Sequence, residues 1–234
     1  MIGNTDDLRG VPVDMNDYYY FFLSPAGGNW RSDEIDILMN PTRRELRSTI
    51  REIENADYDY LITIFSGHGC ESDGETILGL NGQGETITMS ELTNLSPKQL
   101  LLLDCCRGSA LMPEEIAFLE SLGITLSISC DTIRQAYECR IEDSAPQEVI
   151  LFACDEGEPA NDTPAGATYA QYLLDATQNI LTYSSSPFVD VSRAHQKAAS
   201  LMRQDPAVDQ HPQILQSHCP PGRRLPLAVN PKFW

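Results

Sequence analysis

The hydrophobic residues of this chain fall into short, nearly continuous runs, with amphipathic segments of helical spacing between them. The clearest runs cover residues 60–65, 100–103 and 149–154. Runs of this length that are apolar throughout are typical of parallel strands buried on both faces of a sheet. Strands that alternate with helices in this way predict an α/β fold, a three-layer αβα sandwich around a mostly parallel sheet.

Helical periodicity is clearest in residues 42–54, where apolar residues recur on one face and Thr42 and Glu45 form a capping-box pattern. The aromatic run at 18–23 fits either a short strand or a helical turn, because it is too short to show a period. The other predicted elements are strands at 34–39, 124–129 and 211–215, helices at 113–122, 169–181 and 190–204, a short helix from Ser90, and a hairpin or meander within 70–88.

Two segments show little apolar pattern and are predicted to be loops. Residues 131–147, which are rich in Asp, Arg and Glu, are predicted to form an exposed, mobile loop, and residues 155–168 form a second, acidic loop. We expect residues 1–218 to form a single domain. The Pro-rich residues 219–234 are expected to form a tail that is draped over the surface or disordered.

The composition narrows the class of protein. The formal net charge of −18 argues against nucleic acid and anionic membranes as partners, because both would be repelled. The seven cysteines are unevenly spaced and lack convincing zinc-ligand spacing, so neither a disulfide framework, a metal nor a cofactor is expected. The chain shows no apolar stretch long enough to cross a bilayer and no signal-peptide pattern, which predicts a cytoplasmic location.

Two of the predicted strands are followed by reactive residues. The run at 60–65 leads to His68, and the run at 100–103 leads to Cys105 and Cys106. Because α/β sheets carry their chemistry beyond the carboxyl ends of the strands, a thiol and an imidazole are expected side by side at that edge. Such a pair can perform covalent acyl transfer, since the imidazole takes the thiol proton and later donates one to the leaving amine. Adjacent strand residues face opposite sides, so only one of the two cysteines can face the histidine.

The motifs around these residues resemble the caspase-like cysteine peptidases, and among them the metacaspase and prokaryotic caspase-like branch. The resemblance implies a caspase-like fold with His68 as the base. It selects Cys106 as the nucleophile, and it implies that backbone N–H groups of Gly69 and Cys106 form the oxyanion hole. The matching segments are Ser66-Gly67-His68-Gly69 and Asp104-Cys105-Cys106-Arg107-Gly108, supported by residues 8–14, 152–156 and 211–214.

The resemblance also implies which residue precedes the scissile bond. Caspases proper prefer aspartate at that position, whereas metacaspases prefer arginine or lysine. By residue-level match, Asp14, Ser66 and Asp104 would line the primary pocket, and two converging carboxylates are unfavourable unless a cation enters. We therefore expect protein and peptide substrates that are cut after arginine, and then lysine.

The motifs do not identify the activator. Residues 70–98 lack the adjacent aspartates that calcium-activated metacaspases carry, so calcium is not the expected trigger. Family members in prokaryotes are often effectors of stress responses, cell death or antiphage immunity, switched on by a partner protein or a small signalling molecule, and the same is expected here by analogy. Caspases usually mature by cutting a linker, which makes Arg134 and Arg140 candidate sites of self-cleavage.

Two other interpretations stay open. One is a catalytically silent, caspase-like binding or scaffold module, although such proteins typically lose the cysteine or the histidine and both are present here. The other is a different hydrolase or an acyltransferase that uses the same pair of residues. Turnover of peptides that end in arginine, lysine or aspartate would separate the three.

Overall fold

The computed structural model describes residues 1–108 and 130–234. Its helices are Val11–Leu23 (α1), Arg43–Ala56 (α2), Cys130–Asp143 (α3), Thr168–Tyr183 (α4) and Val191–Gln204 (α5). Its strands are Ile2–Gly3 (β1), Leu38–Met39 (β2), Tyr60–Ser66 (β3), Gly69–Ser72 (β4), Glu75–Gly79 (β5), Thr86–Thr88 (β6), Lys98–Asp104 (β7), Gln147–Phe152 (β8), Asp162–Thr163 (β9), Gly166–Ala167 (β10), Phe188–Asp190 (β11), Gln213–Gln216 (β12) and Pro226–Val229 (β13).

Six of the described strands build a central sheet in the order β12-β8-β7-β3-β1-β2. The pairs between β8 and β2 are all parallel, and β12 runs antiparallel to β8 at one edge. All residues of β7, in the middle of the sheet, are buried. The predicted α/β fold with a mostly parallel sheet is confirmed.

Side chains of β7 alternate between two hydrophobic layers. Leu100 and Leu102 pack with residues of α1, α4 and α5 on one face. Leu101 and Leu103 pack on the other face with residues of α2 and of the β4–β6 region. This alternation, which follows from the pleat of a strand, gives the sandwich its two cores.

Residues 18–23 belong to helix α1, so the aromatic run is helical and does not form a strand. Val11, Met15, Tyr18 and Phe22 are buried, and their spacing is that of one helix face. The short aromatic run hides this period because Tyr20, which is exposed, and its partly buried neighbours are aromatic like the buried residues. The helix is recognisable only over its full length.

Helix α2 forms where the periodicity predicts it. The Thr42 hydroxyl accepts the Glu45 backbone N–H at 3.2 Å, and the Glu45 carboxylate accepts the Thr42 N–H at 2.8 Å, which is the predicted capping box. Leu46 and Ile50 are buried beneath the helix. Strands β4, β5 and β6 form the predicted antiparallel meander, and α4, α5 and β12 also lie where they were predicted.

The prediction of a mobile loop at residues 131–147 is wrong, because α3 covers most of that segment. Ile133 and Tyr137 are fully buried, and the Arg134 guanidinium donates two hydrogen bonds of 2.9 Å to the Glu34 carboxylate. Few apolar positions mark this helix in the sequence. It is held by contacts with distant segments, which local composition does not reveal.

The C-terminal segment is also more ordered than predicted. All residues of β13 are buried, and the strand pairs antiparallel with β11. The Tyr137 hydroxyl donates to the Pro226 carbonyl oxygen at 3.2 Å. Part of the predicted tail, 219–234, therefore belongs to the packed interior, although its proline content suggested a surface segment.

Smaller differences concern the edges of the fold. The strand predicted at 34–39 is reduced to β2, with a single 3₁₀ turn at Ser32–Glu34 before it. The predicted helix at 113–122 and strand at 124–129 lie outside the described residues. Within the described ranges, no helix combines the length and the hydropathy that crossing a bilayer requires.

Candidate active site

Strands β3 and β7 carry the two reactive motifs to the same edge of the sheet. They pair in parallel up to Ser66 and Asp104, and the Gly67 N–H donates to the Asp104 carbonyl oxygen at 3.1 Å. His68 and Cys106 each follow two residues after this last pair. The histidine and the cysteine expected from the sequence therefore lie beyond the carboxyl ends of neighbouring strands.

The orientation of the His68 ring is set by the N-terminal segment. Its Nε2 lies 2.5 Å from the Asp6 carbonyl oxygen. A carbonyl oxygen can only accept a hydrogen bond, so Nε2 carries the ring proton. In the neutral imidazole, Nδ1 is then the nitrogen that can accept a proton.

The two adjacent cysteines lie in different surroundings. Cys105 is buried in the hydrophobic layer beneath the sheet, where burial raises its thiol pKa well above the ordinary value. Cys106 is half-buried, and its Sγ accepts the Ala160 N–H at 3.3 Å and donates to the Ala160 carbonyl oxygen at 3.5 Å. Burial raises the pKa of the Cys106 thiol, the Ala160 N–H lowers it, and the Asp104 carboxylate raises it.

Gly69 lies directly against the cysteine backbone. A Cβ atom at this position would lie 2.6 Å from Cys105 Sγ and 2.8 Å from the Cys106 carbonyl oxygen, which is closer than packed atoms tolerate. Glycine is therefore required by the close approach of two backbone segments. The two N–H groups assigned to an oxyanion hole, those of Gly69 and Cys106, belong to these two segments.

Asp14, Ser66 and Asp104 are brought together below the two motifs, and all three are buried. The Ser66 hydroxyl donates to Asp14 Oδ2 at 2.6 Å. The Ala167 N–H donates to Asp14 Oδ1 at 2.8 Å, and the Ala170 N–H donates to Asp104 Oδ2 at 3.0 Å.

The two buried carboxyl groups resist ionisation. Burial raises the pKa of Asp14 to about 7, although its hydrogen bonds from Ser66 and Ala167 act in the opposite direction. Burial also raises the pKa of Asp104 well above the ordinary value, and the neighbouring Asp14 raises it further. A cation bound beside them would favour their charged forms.

Asp162 is a third carboxylate at this edge, and sequence reasoning missed it. Its Oδ2 accepts the Gly10 N–H at 3.2 Å, whereas its Oδ1 is buried and has no hydrogen-bond partner among the described residues. Burial raises its pKa and the nearby His68 lowers it. Its charge also acts on Asp14, Asp104 and Cys106. One feature of the sequence could have pointed to Asp162. Its acidic loop follows a buried parallel strand, as the histidine motif and the cysteine motif do.

Arg107 attaches this loop to the cysteine motif. Its backbone N–H donates to the Glu158 carbonyl oxygen at 3.0 Å. Its buried guanidinium pairs with Glu71 at 3.4 Å and with Glu156 at 3.1 Å. These contacts hold residues 155–161 over the half-buried thiol.

The site thus combines a thiol, an imidazole whose Nδ1 can accept a proton, and three carboxyl groups. In the parts of the chain that the structure describes, no group of three or more His, Cys, Asp or Glu side chains is arranged to hold a metal ion.

A family model for the caspase domain, peptidase family C14, matches residues 1–221. No curated protein matches the chain at a significant level. Among solved structures, the crystal structure of protein GSU0716 from Geobacter sulfurreducens is similar, with a TM-score of 0.57 and 17% sequence identity over 96% of this chain and 89% of that one. This likeness concerns the fold alone.

Proposed function

Since the chain belongs to the caspase-domain family of cysteine peptidases, we propose that it is an endopeptidase that cleaves proteins after arginine or lysine. Cys106 is the nucleophile and His68 the base. The observation that carries this proposal is the hydrogen bond of 2.5 Å between His68 Nε2 and the Asp6 carbonyl oxygen. It leaves Nδ1 to accept a proton at the sheet edge where the half-buried thiol of Cys106 lies.

In the proposed reaction, Cys106 Sγ gives its proton to His68 Nδ1 and attacks the carbonyl carbon of the scissile peptide bond. The N–H groups of Gly69 and Cys106 donate to the oxyanion that forms. His68 then donates the proton to the leaving amine, and a thioester to Cys106 remains. A water molecule, deprotonated by His68, attacks the thioester and releases the carboxylic acid and the thiol.

The three carboxyl groups support a preference for basic substrates. Asp162 raises the pKa of Asp14 and of Asp104, and Asp14 raises that of Asp104, so an acidic side chain in the same place would be strongly disfavoured. A guanidinium or an ammonium group would relieve this repulsion. Arginine is expected to be preferred over lysine, since its planar fork can pair with a carboxylate through two hydrogen bonds.

The contacts around the thiol support a regulated enzyme. Cys106 Sγ is engaged by both the N–H and the carbonyl oxygen of Ala160, so a substrate carbonyl can reach it only when residues 155–161 move. We propose a cytoplasmic effector protease of stress, cell death or antiphage immunity, which a partner protein or a small signalling molecule switches on.

The test uses fluorogenic peptides that end in arginine, lysine or aspartate. In the presence of lysate fractions that supply activators, we expect turnover of the arginine peptide, slower turnover of the lysine peptide, and none of the aspartate peptide. Cys106→Ala should abolish turnover, whereas Cys105→Ala, the matched control next to it, should retain it because that thiol lies in the core.

Other outcomes are equally informative. Activity that survives in Cys106→Ala would overturn the assigned nucleophile. Preference for the aspartate peptide would overturn the assigned pocket. Absence of turnover of all three peptides, in the presence of lysate fractions that supply activators, would favour the silent binding module.

A further inference from the structure

Helix α2 presents a row of arginines to solvent. The four residues follow one another at intervals of one, three and four, which places them on a single exposed face of the helix, beside the buried Leu46 and Ile50. Together with Glu85 they line an open groove of about 360 Å³. They are Arg43, Arg44, Arg47 and Arg51.

This concentration of positive charge contrasts with the rest of the chain. The protein has 16 lysines and arginines against 34 acidic residues, and four of those 16 line this one groove. Like charges three or four residues apart destabilise a helix. Arg43 and Arg44 also occupy the first turn of α2, where the helix dipole favours anions. Helix stability alone therefore does not explain the arrangement.

Two of the arginines are held in place by neighbouring elements. Arg43 Nε donates to the Thr86 carbonyl oxygen at 2.6 Å, and Arg47 lies against Glu91, with Nε and Nη2 each 2.8 Å from the same carboxylate oxygen. These bonds fix the two guanidinium groups at the wall of the groove, with further N–H groups left over on each.

The other two arginines differ from these two. Within residues 1–108 and 130–234, the side chains of Arg44 and Arg51 make no hydrogen bond or ion pair, and both are exposed. The groove thus has two anchored cations and two that are available to a ligand.

We propose that this groove binds a small, multiply charged anion that carries phosphate groups. Guanidinium groups pair with phosphate oxygens through two parallel hydrogen bonds, which makes arginine the preferred residue for such ligands. The volume of the groove lies at the lower end of the range of small-molecule sites. The site is separate from the thiol and the imidazole, and it does not depend on the proposed peptidase activity.

The experiment measures binding of inorganic tripolyphosphate to the full chain by isothermal titration calorimetry, at about 0.15 M salt to screen nonspecific attraction. The test variant is Arg44→Gln with Arg51→Gln. The control is Arg193→Gln with Arg203→Gln, which removes the same charge from exposed positions of α5, on the other face of the sheet. Circular dichroism checks that each variant is folded, and the two single α2 variants replace the double variant if it is not.

We expect saturable binding to the wild-type protein, weakened about tenfold or more in the α2 variant and unchanged in the control. Equal weakening in both double variants would mean a general charge effect and would overturn the proposal. So would the absence of saturable binding to the wild type. Binding of a long polyanion such as heparin without binding of tripolyphosphate would assign the groove to a macromolecule instead.

Discussion

The carboxylates at the sheet edge differ in how much of their hydrogen-bonding capacity the protein itself uses. Both oxygens of Asp14 receive donors, from Ser66 and from Ala167. Asp162 is less buried, and its Oδ1 has no partner among the described residues. Because Asp162 is less buried than Asp14, we expect a substrate cation that enters the pocket to approach Asp162 more readily, while Asp14 supports the pocket.

Replacing Asp162 with asparagine tests this ranking. The variant keeps the size of the side chain and an acceptor for the Gly10 N–H, but it removes the negative charge. We expect kcat/KM for arginine peptides to fall about ten- to hundredfold, the range of a lost hydrogen bond between charged groups. Fluorogenic peptide assays measure it.

Asp155→Asn is the matched control for this variant. Asp155 belongs to the same loop and is exposed, with its Oδ1 accepting the Glu156 N–H. It should leave kcat/KM within about twofold of wild type, because exposed charges contribute little. Equal losses in the two variants would show that the loop, and not the Asp162 charge, determines the effect.

At the scale of elements, α3 changes the expectation for self-cleavage. Arg134 and Arg140 were candidate cleavage sites in a mobile loop, but both lie within this helix. Arg140 donates to the carbonyl oxygens of Gly222 and Arg224, at 3.0 and 2.7 Å. Cleavage at either position would require the helix to unfold and its contacts with the C-terminal segment to break.

We therefore expect no fragments that end at Arg134 or Arg140 when the folded protein is incubated. Intact-mass spectrometry of the wild type and of Cys106→Ala measures this directly. Fragments with these ends that appear in the wild type and not in the variant would contradict the prediction. They would show that α3 opens under native conditions.

The elements that the sequence predicted well are those whose signal is local. The buried strands β3, β7 and β8 are continuous apolar runs, and α2 has both a period and a capping box. The contacts of α3 and β13 with each other are made over long sequence separations, as in the hydrogen bond between Tyr137 and Pro226. Their own segments are polar or rich in proline, so local pattern predicted loops.

The same reason explains what was predictable in the site. His68, Cys106 and Gly69 stand in short motifs directly after predicted strands, and parallel pairing brings those strand ends together. Asp162 lies far along the chain from both motifs, in a loop with several other acidic residues. Only the structure distinguishes Asp162 from the other acidic residues of the loop, because it shows the Asp162 carboxylate beside Gly10.

At the scale of the whole molecule, buried carboxyl groups link folding to pH. Burial raises the pKa of Asp14 from 3.8 to about 7 in the folded protein. Between these two values the folded state keeps the proton while the unfolded state loses it. The folded state therefore binds more protons, and its stability falls as pH rises through this window. The buried Asp104 acts in the same direction.

Asp14→Asn should remove the Asp14 part of this dependence, since the amide has no proton to lose. We expect the free energy of unfolding of the wild type, from urea titrations between about pH 5 and pH 7, to decline with pH more steeply than that of the variant. The difference is at most about 1.4 kcal/mol per pH unit, the contribution of one proton.

Asp143→Asn is the control. It removes the same formal charge from an exposed position of α3. It should keep the wild-type slope, because the repulsion among the other carboxylates is common to all three proteins. Three equal slopes would mean that Asp14 is already ionised at pH 5. The carboxylates would then repel one another at neutral pH, and the protein itself would have to supply the compensating positive charge.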